Sequence, residues 1–128
     1  MRVLIADHDR DTAMLLSILL RSEGHDVLTT ERLSDVAALV REFQPRLVFL
    51  DVDMRDALSF EVAQQLLLEH GAGCPTLVAT SVTGDEADLA QAAMCGFHSC
   101  LAKPYRPDKV LSFVERLDAL SAIRRSRA

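Results

Sequence analysis

At 128 residues the chain has the size of one domain, long enough to bury about two-thirds of its unfolded surface. Hydrophobic residues make up 49% and charged residues 26%, which excludes a disordered chain, and the apolar runs fall far short of the roughly 18 residues of a membrane span. A net charge of −5 argues against nucleic acid as a direct partner and suits a divalent cation or a basic protein surface.

Arg2 to Ala6 reads as a buried strand that ends on acid, Asp7-His8-Asp9. Because Met1-Arg2 runs straight into that strand, no secretion signal is expected. Asp11 to Arg21 is helical by composition, with Met14, Leu15, Ile18 and Leu19 as its apolar face and Gly24 as its stop. Asp26 to Thr29 is a shorter strand suited to an edge. Leu33 to Phe43 forms the next helix, striped by Leu33, Val36, Ala37, Val40 and Phe43, and Pro45 blocks its continuation.

Leu47-Val48-Phe49-Leu50-Asp51 is an apolar run that stops on a carboxylate, as a strand buried on both faces would. Leu58 to His70 is a third helix, with Phe60, Ala63, Leu66 and Leu67 as its stripe. Pro75 to Ala79 is a fourth strand, stopping at Thr80-Ser81. Thr83-Gly84-Asp85-Glu86 has capping-box spacing and opens a helix through Met94, which Gly96 ends. Phe97 to Ala102 is the fifth strand, ending at Lys103-Pro104. Pro107 opens the last helix, striped by Val110, Phe113, Val114 and Leu117. The domain is expected over residues 1–120, with 121–128 a basic tail. Cys74, Cys95 and Cys100 lack zinc or C-x-x-C spacing and read as reduced cytosolic thiols acting as small hydrophobes.

Five strands alternating with five helices, without hairpin signals, imply an α/β fold with a doubly wound parallel sheet. In such a sheet all C-terminal strand ends share one edge, where ligands bind. Asp7, Asp51, Thr80 and Lys103 should therefore meet in one shallow cleft. A carboxylate nucleophile, a second carboxylate, a hydroxyl and an amine form a phosphoryl-handling set. Asp51 would attack, Lys103 and Thr80 would hold phosphoryl oxygens, and Mg2+ held partly by Asp7 would neutralise the remaining charge.

Asp7, Asp51-Val52-Asp53-Met54, Thr80 and the run from Gly96 to Lys103-Pro104, at this spacing, resemble the receiver domain of bacterial response regulators over nearly the whole chain, Arg2 to about Asp118. The resemblance implies a flavodoxin-like fold with strand order 2-1-3-4-5. It implies a cytoplasmic two-component module phosphorylated on Asp51 by a histidine kinase or histidine phosphotransfer protein, and no enzyme beyond slow phosphoryl chemistry on itself. Mg2+ would be required, bound by Asp7, Asp51 and the backbone carbonyl of Asp53. Lys103–Pro104 would be cis, and Thr80 would act as a switch. The kinase side would dock near the first helix and the loop after the fifth strand. A downstream protein target or self-association would use the face of the last two helices and the fifth strand.

The chain departs from that family at several positions. His8 replaces a second acidic residue at the metal, and imidazole is a poor ligand for Mg2+ but a good one for softer first-row ions. Weakened metal affinity, replacement by the carboxylate of Asp9 or Asp53, preference for Mn2+, and a tolerated substitution all stand open. Cys100 takes the place of the switch aromatic, so a signal is expected through the Thr80–Asp85 loop or another surface. Arg55-Asp56 and Leu58-Ser59 alter the loop beside the acceptor. These departures motivate an alternative, a pseudo-receiver that binds partners without phosphorylation. A haloacid-dehalogenase-type phosphatase, suggested by Asp51-x-Asp53, lacks a late acidic pair and room for a substrate cap. With five glycines and no G-x-G-x-x-G or P-loop, nucleotide readings fail.

Overall fold

In the computed structural model, residues 1–53, 59–82 and 96–127 are described, the last helix by its backbone alone beyond residue 120. The strands are β1 (Arg2–Ala6), β2 (Asp26–Thr30), β3 (Leu47–Asp51), β4 (Thr76–Ser81) and β5 (Ser99–Ala102). The helices are α1 (Arg10–Ser22), α2 (Val36–Phe43), α3 (Ser59–His70) and α4 (Pro107–Arg127), with 3-10 turns at Leu33–Asp35 and Gly71–Gly73. The expected helix from Thr83 to Met94, the Arg55-Asp56 and Leu58 positions and Cys95 lie outside the described residues. Among the described residues no helix is long and apolar enough to cross a membrane.

All strand pairs are parallel, in the order β2-β1-β3-β4-β5, which is the flavodoxin-like arrangement expected from the alternating pattern. Period-2 alternation divides the strand side chains between two cores. Leu4, Ala6, Val48, Leu50, Leu77 and Ala79 pack with Val36 and Val40 of α2 and Val62, Ala63 and Leu66 of α3. Val3, Ile5, Val27, Leu47, Phe49 and Val78 face the other way, onto Ala13, Leu16 and Leu20 of α1 and Val110 and Val114 of α4. Every residue of β3 is buried, so the central strand has no solvent face and needs none of the polar alternation seen in β2.

Two local expectations are corrected. The face of α1 that meets the sheet is Ala13, Leu16, Ser17 and Leu20, at i, i+3, i+4, i+7 spacing, while Met14, Leu15 and Ile18 point outward at 53%, 69% and 57% exposure. The small side chains of Ala13 and Ser17 let the helix lie close to the sheet, and hydropathy alone marks the bulkier outer residues instead. β4 runs on through Thr80 and Ser81, because Val52 N–H and Lys103 N–H donate to their carbonyls (3.0 and 2.9 Å) and extend the ladder to the site.

Gly96 leads into β5 with φ of +96°, and a Cβ there would lie 2.1 Å from Leu67 Cδ1. The positive φ favours glycine, and an added Cβ would also push the Leu67 side-chain end aside. Gly96→Ala is expected to destabilise the fold by roughly 1–3 kcal/mol, read as a lower urea midpoint at unchanged m-value.

Candidate functional site

Asp7 directly follows β1, and its N–H donates to the Thr30 carbonyl of β2 (3.0 Å). Asp51 closes β3 and stands in register with Thr80 of β4, and Lys103 directly follows β5. Asp7, Asp51 and Thr80 are at most 1% exposed. Lys103, its side chain 9% exposed, places Nζ 2.9 Å from Asp7 Oδ2 and 3.1 Å from Asp51 Oδ2. The two carboxylates and the amine expected from the sequence thus converge on one point, with Thr80 on the adjoining strand.

The chain turns in the same way after both acidic strand ends. Asp7 Oδ1 accepts from Asp9 N–H and Asp51 Oδ1 from Asp53 N–H, each at 2.9 Å. Such Asx turns orient the carboxylates through their own backbone, two residues on. Burial pushes the Asp51 carboxyl up, but the Asp53 N–H, His8 and the Lys103 ammonium together outweigh it and hold it below the ordinary value of 3.8. For Asp7 burial prevails over the Asp9 N–H and Lys103, with repulsion from Asp51 added, and its carboxyl lies above that value. Burial alone would lower Lys103; its contacts with Asp7 and Asp51 reverse this and secure the ammonium. The cleft therefore pairs the Asp51 carboxylate with the Lys103 ammonium.

His8 reaches the same cleft. Its side chain is 54% exposed, yet Nδ1 contacts Asp51 Oδ2 and lies 3.8 Å from Asp7 Oδ1. Asp7, His8 and Asp51 each offer a donor atom, all within 4.8 Å of one another. Two other carboxylates are turned away. Asp9 caps α1, accepting from the N–H groups of Asp11 and Thr12 and from the Thr12 hydroxyl. Asp53 accepts from Val82 N–H (3.0 Å) and the Ser81 hydroxyl (3.3 Å).

The Lys103–Pro104 bond is cis, as expected. Cys100, opposite Ala79 on β4, packs with the α2/α3 core. One residue escaped sequence reasoning. Tyr105, the chain's single tyrosine, packs against the α1/α4 core, and its buried hydroxyl sits beside Thr80. Neither hydroxyl has a well-aligned hydrogen-bond partner among the described residues, and burial raises the phenol's pKa. An aromatic two residues after the strand-end lysine was the available signal.

A family model described as "Response regulator receiver domain" matches residues 3–115. The chain is 30% identical over 113 residues to the DNA-binding response regulator MtrA of Mycolicibacterium smegmatis, covering 88% of this chain and 48% of that protein. It therefore spans about half the length of that relative. Among solved structures it superposes on a putative response regulator from Chloroflexus aurantiacus with a TM-score of 0.83 at 20% identity (92% and 97% of the two chains). Against the chemotaxis response regulator CheY4 of Vibrio cholerae the TM-score is 0.82 at 18% identity (91% and 97%). At these identities the structural likeness speaks for the fold.

Removing the ammonium strands two buried carboxylates. In metal-free buffer at pH 7, Lys103→Met is expected to cost about 3–5 kcal/mol of unfolding free energy. Without its counter-charge the folded state favours protonated carboxyls, so the cost is fully present at neutral pH. It should fade as pH falls toward 3.8, where the same carboxyls protonate in the unfolded chain. Urea unfolding of both proteins across pH 3–7 reads this directly; a pH-independent difference would contradict the ion-pair account.

Proposed function

The chain belongs to the response regulator receiver family of two-component signalling, and from that premise we propose that it accepts a phosphoryl group on Asp51 and signals by changing its protein-binding surface. The observation that carries the reading is the buried, ionised Asp51 carboxylate, held by Lys103 at the strand-end edge beside the unengaged Thr80 hydroxyl.

In the transfer an Asp51 carboxylate oxygen forms the new O–P bond as the donor's bond to phosphorus breaks. The electron pair of that broken bond leaves with the donor, a phosphohistidine or a small-molecule phosphodonor. Lys103, already in place, pairs with an oxygen of the transferred group, and Thr80 is free to donate to another. Such preorganisation stabilises charge in the transition state without a reorganisation cost at the moment of reaction.

Receiver domains bind Mg2+ at an acidic pocket, and Asp7 and Asp51 fit a divalent cation, being buried hard-oxygen donors whose excess negative charge Lys103 only partly offsets. The Asp53 carbonyl would be a further donor. When bound, the cation neutralises charge on the phosphoryl oxygens.

The donor protein would be a histidine kinase or histidine phosphotransfer protein. Met14, Leu15 and Ile18, exposed on α1, would offer it an apolar surface. With Cys100 in place of the switch aromatic, the signal would travel through the segment after Thr80. A downstream target or a second copy would take the face around β5 and α4. The module would act in the cytoplasm and span about residues 1–120, followed by the basic 121–128 stretch, which continues α4 as helix to Arg127.

Intact mass after phosphoramidate or acetyl phosphate treatment, with Mg2+ or Mn2+, tests this. One added phosphoryl group is expected, absent in Asp51→Ala. A folded wild-type protein that gains no mass with either ion would favour a phosphorylation-independent interaction module instead, the reading to which His8 on Asp51 lends support.

A further inference from the structure

Among the described residues, Asp9, Asp53 and Lys103 stand beside Asp7 and Asp51 in the chain or in the cleft, and the structure accounts for each. Asp9 spends its carboxylate on the first turn of α1, where it accepts three hydrogen bonds of 2.9–3.3 Å. Asp53 spends its own on the end of β4, through Val82 N–H and the Ser81 hydroxyl. Lys103 is a cation. Among the described residues, what remains beside the two buried carboxylates is the His8 imidazole, with Nδ1 against Asp51 Oδ2 and 3.8 Å from Asp7 Oδ1.

That donor set is a mismatch for Mg2+, which demands near-octahedral oxygen ligands and sheds its water reluctantly. An imidazole nitrogen joined to two carboxylates instead suits borderline first-row ions, whose affinity rises from Mn2+ through Co2+ along the Irving–Williams order. The ring also has room to serve. Its side chain is half-exposed and only its Nδ1 edge enters the cleft, so it can move by a fraction of an ångström around an ion while the buried carboxylates stay fixed by their Asx turns.

We propose that His8 Nδ1 is a direct metal ligand and that, together with Asp7 and Asp51, it makes this a site for a first-row divalent ion in preference to Mg2+. The proposal deepens the reading of Asp51 as the phosphoacceptor, since it concerns the ion of that same centre, but metal binding is measured without any phosphodonor.

The metal-free full chain is titrated with MgCl2, MnCl2 and CoCl2, following the fluorescence of Tyr105, the only tyrosine in a chain without tryptophan. Proton NMR of the Co2+ form supplies a second readout: a directly bound imidazole shows a hyperfine-shifted N–H resonance that vanishes in D2O. Even an outer-shell partner is worth ten- to a hundredfold in metal affinity, so the Co2+-over-Mg2+ preference is expected to fall at least about tenfold in His8→Asp. The shifted N–H should be present in the wild type and lost in both His8→Asp and His8→Asn, and His25, His70 and His98 remain as internal controls.

A wild-type Co2+ form with no shifted imidazole N–H, an ion preference unchanged in His8→Asp, or no saturable binding of Co2+ would each overturn the proposal. Should His8→Asp fail to fold, the wild-type resonance and His8→Asn still decide it. Phosphoryl transfer that succeeds while the imidazole signature is missing sinks this proposal alone; an imidazole signature without transfer sinks the phosphoacceptor reading and leaves the metal site standing.

Discussion

The ammonium of Lys103, shared between Asp7 and Asp51 at 2.9 and 3.1 Å, is the contact on which this site depends. Two carboxylates cannot both stay ionised when buried side by side without a counter-charge, and a single cation touching both supplies it. It leaves the centre with an excess negative charge. An excess of that kind is what a divalent cation would neutralise.

Everything else in the fold serves to hold three strand ends at that distance. The parallel ladder fixes Asp51 opposite Thr80, and the Val52 and Lys103 amides carry the ladder past the formal ends of β3 and β5. Beneath the cleft, both faces of the sheet are filled, by α2 and α3 on one side and by α1 and α4 on the other. An edge supported in this way is rigid, so its polar groups can be prearranged and need not be gathered on binding.

The chain's departures from the family pattern sit around this centre. His8 places an imidazole in the cleft where the family pattern has an acid, while the Asp9 and Asp53 carboxylates are hydrogen-bonded elsewhere. Cys100 removes bulk on the α2/α3 side of the sheet, whereas Tyr105 brings a buried phenol toward Thr80 from the α1/α4 side. In this chain the aromatic beside the Thr80 hydroxyl is Tyr105, on the face opposite Cys100.

Much of this was legible in the residues alone. Apolar runs ending on Asp7, Asp51, Thr80 and Lys103 specify a parallel sheet and the edge where those groups meet, because strand direction and side-chain alternation are local consequences of sequence. The buried face of α1 was not legible: Met14, Leu15 and Ile18 are more hydrophobic than Ala13 and Ser17, and only the close approach of helix to sheet selects the smaller residues. The roles of Asp9, Asp53 and Tyr105 were equally hidden. Which of several neighbouring carboxylates is free, and which hydroxyl an aromatic faces, is decided by hydrogen bonds and packing between segments remote in the chain, and those exist only once the tertiary structure has formed.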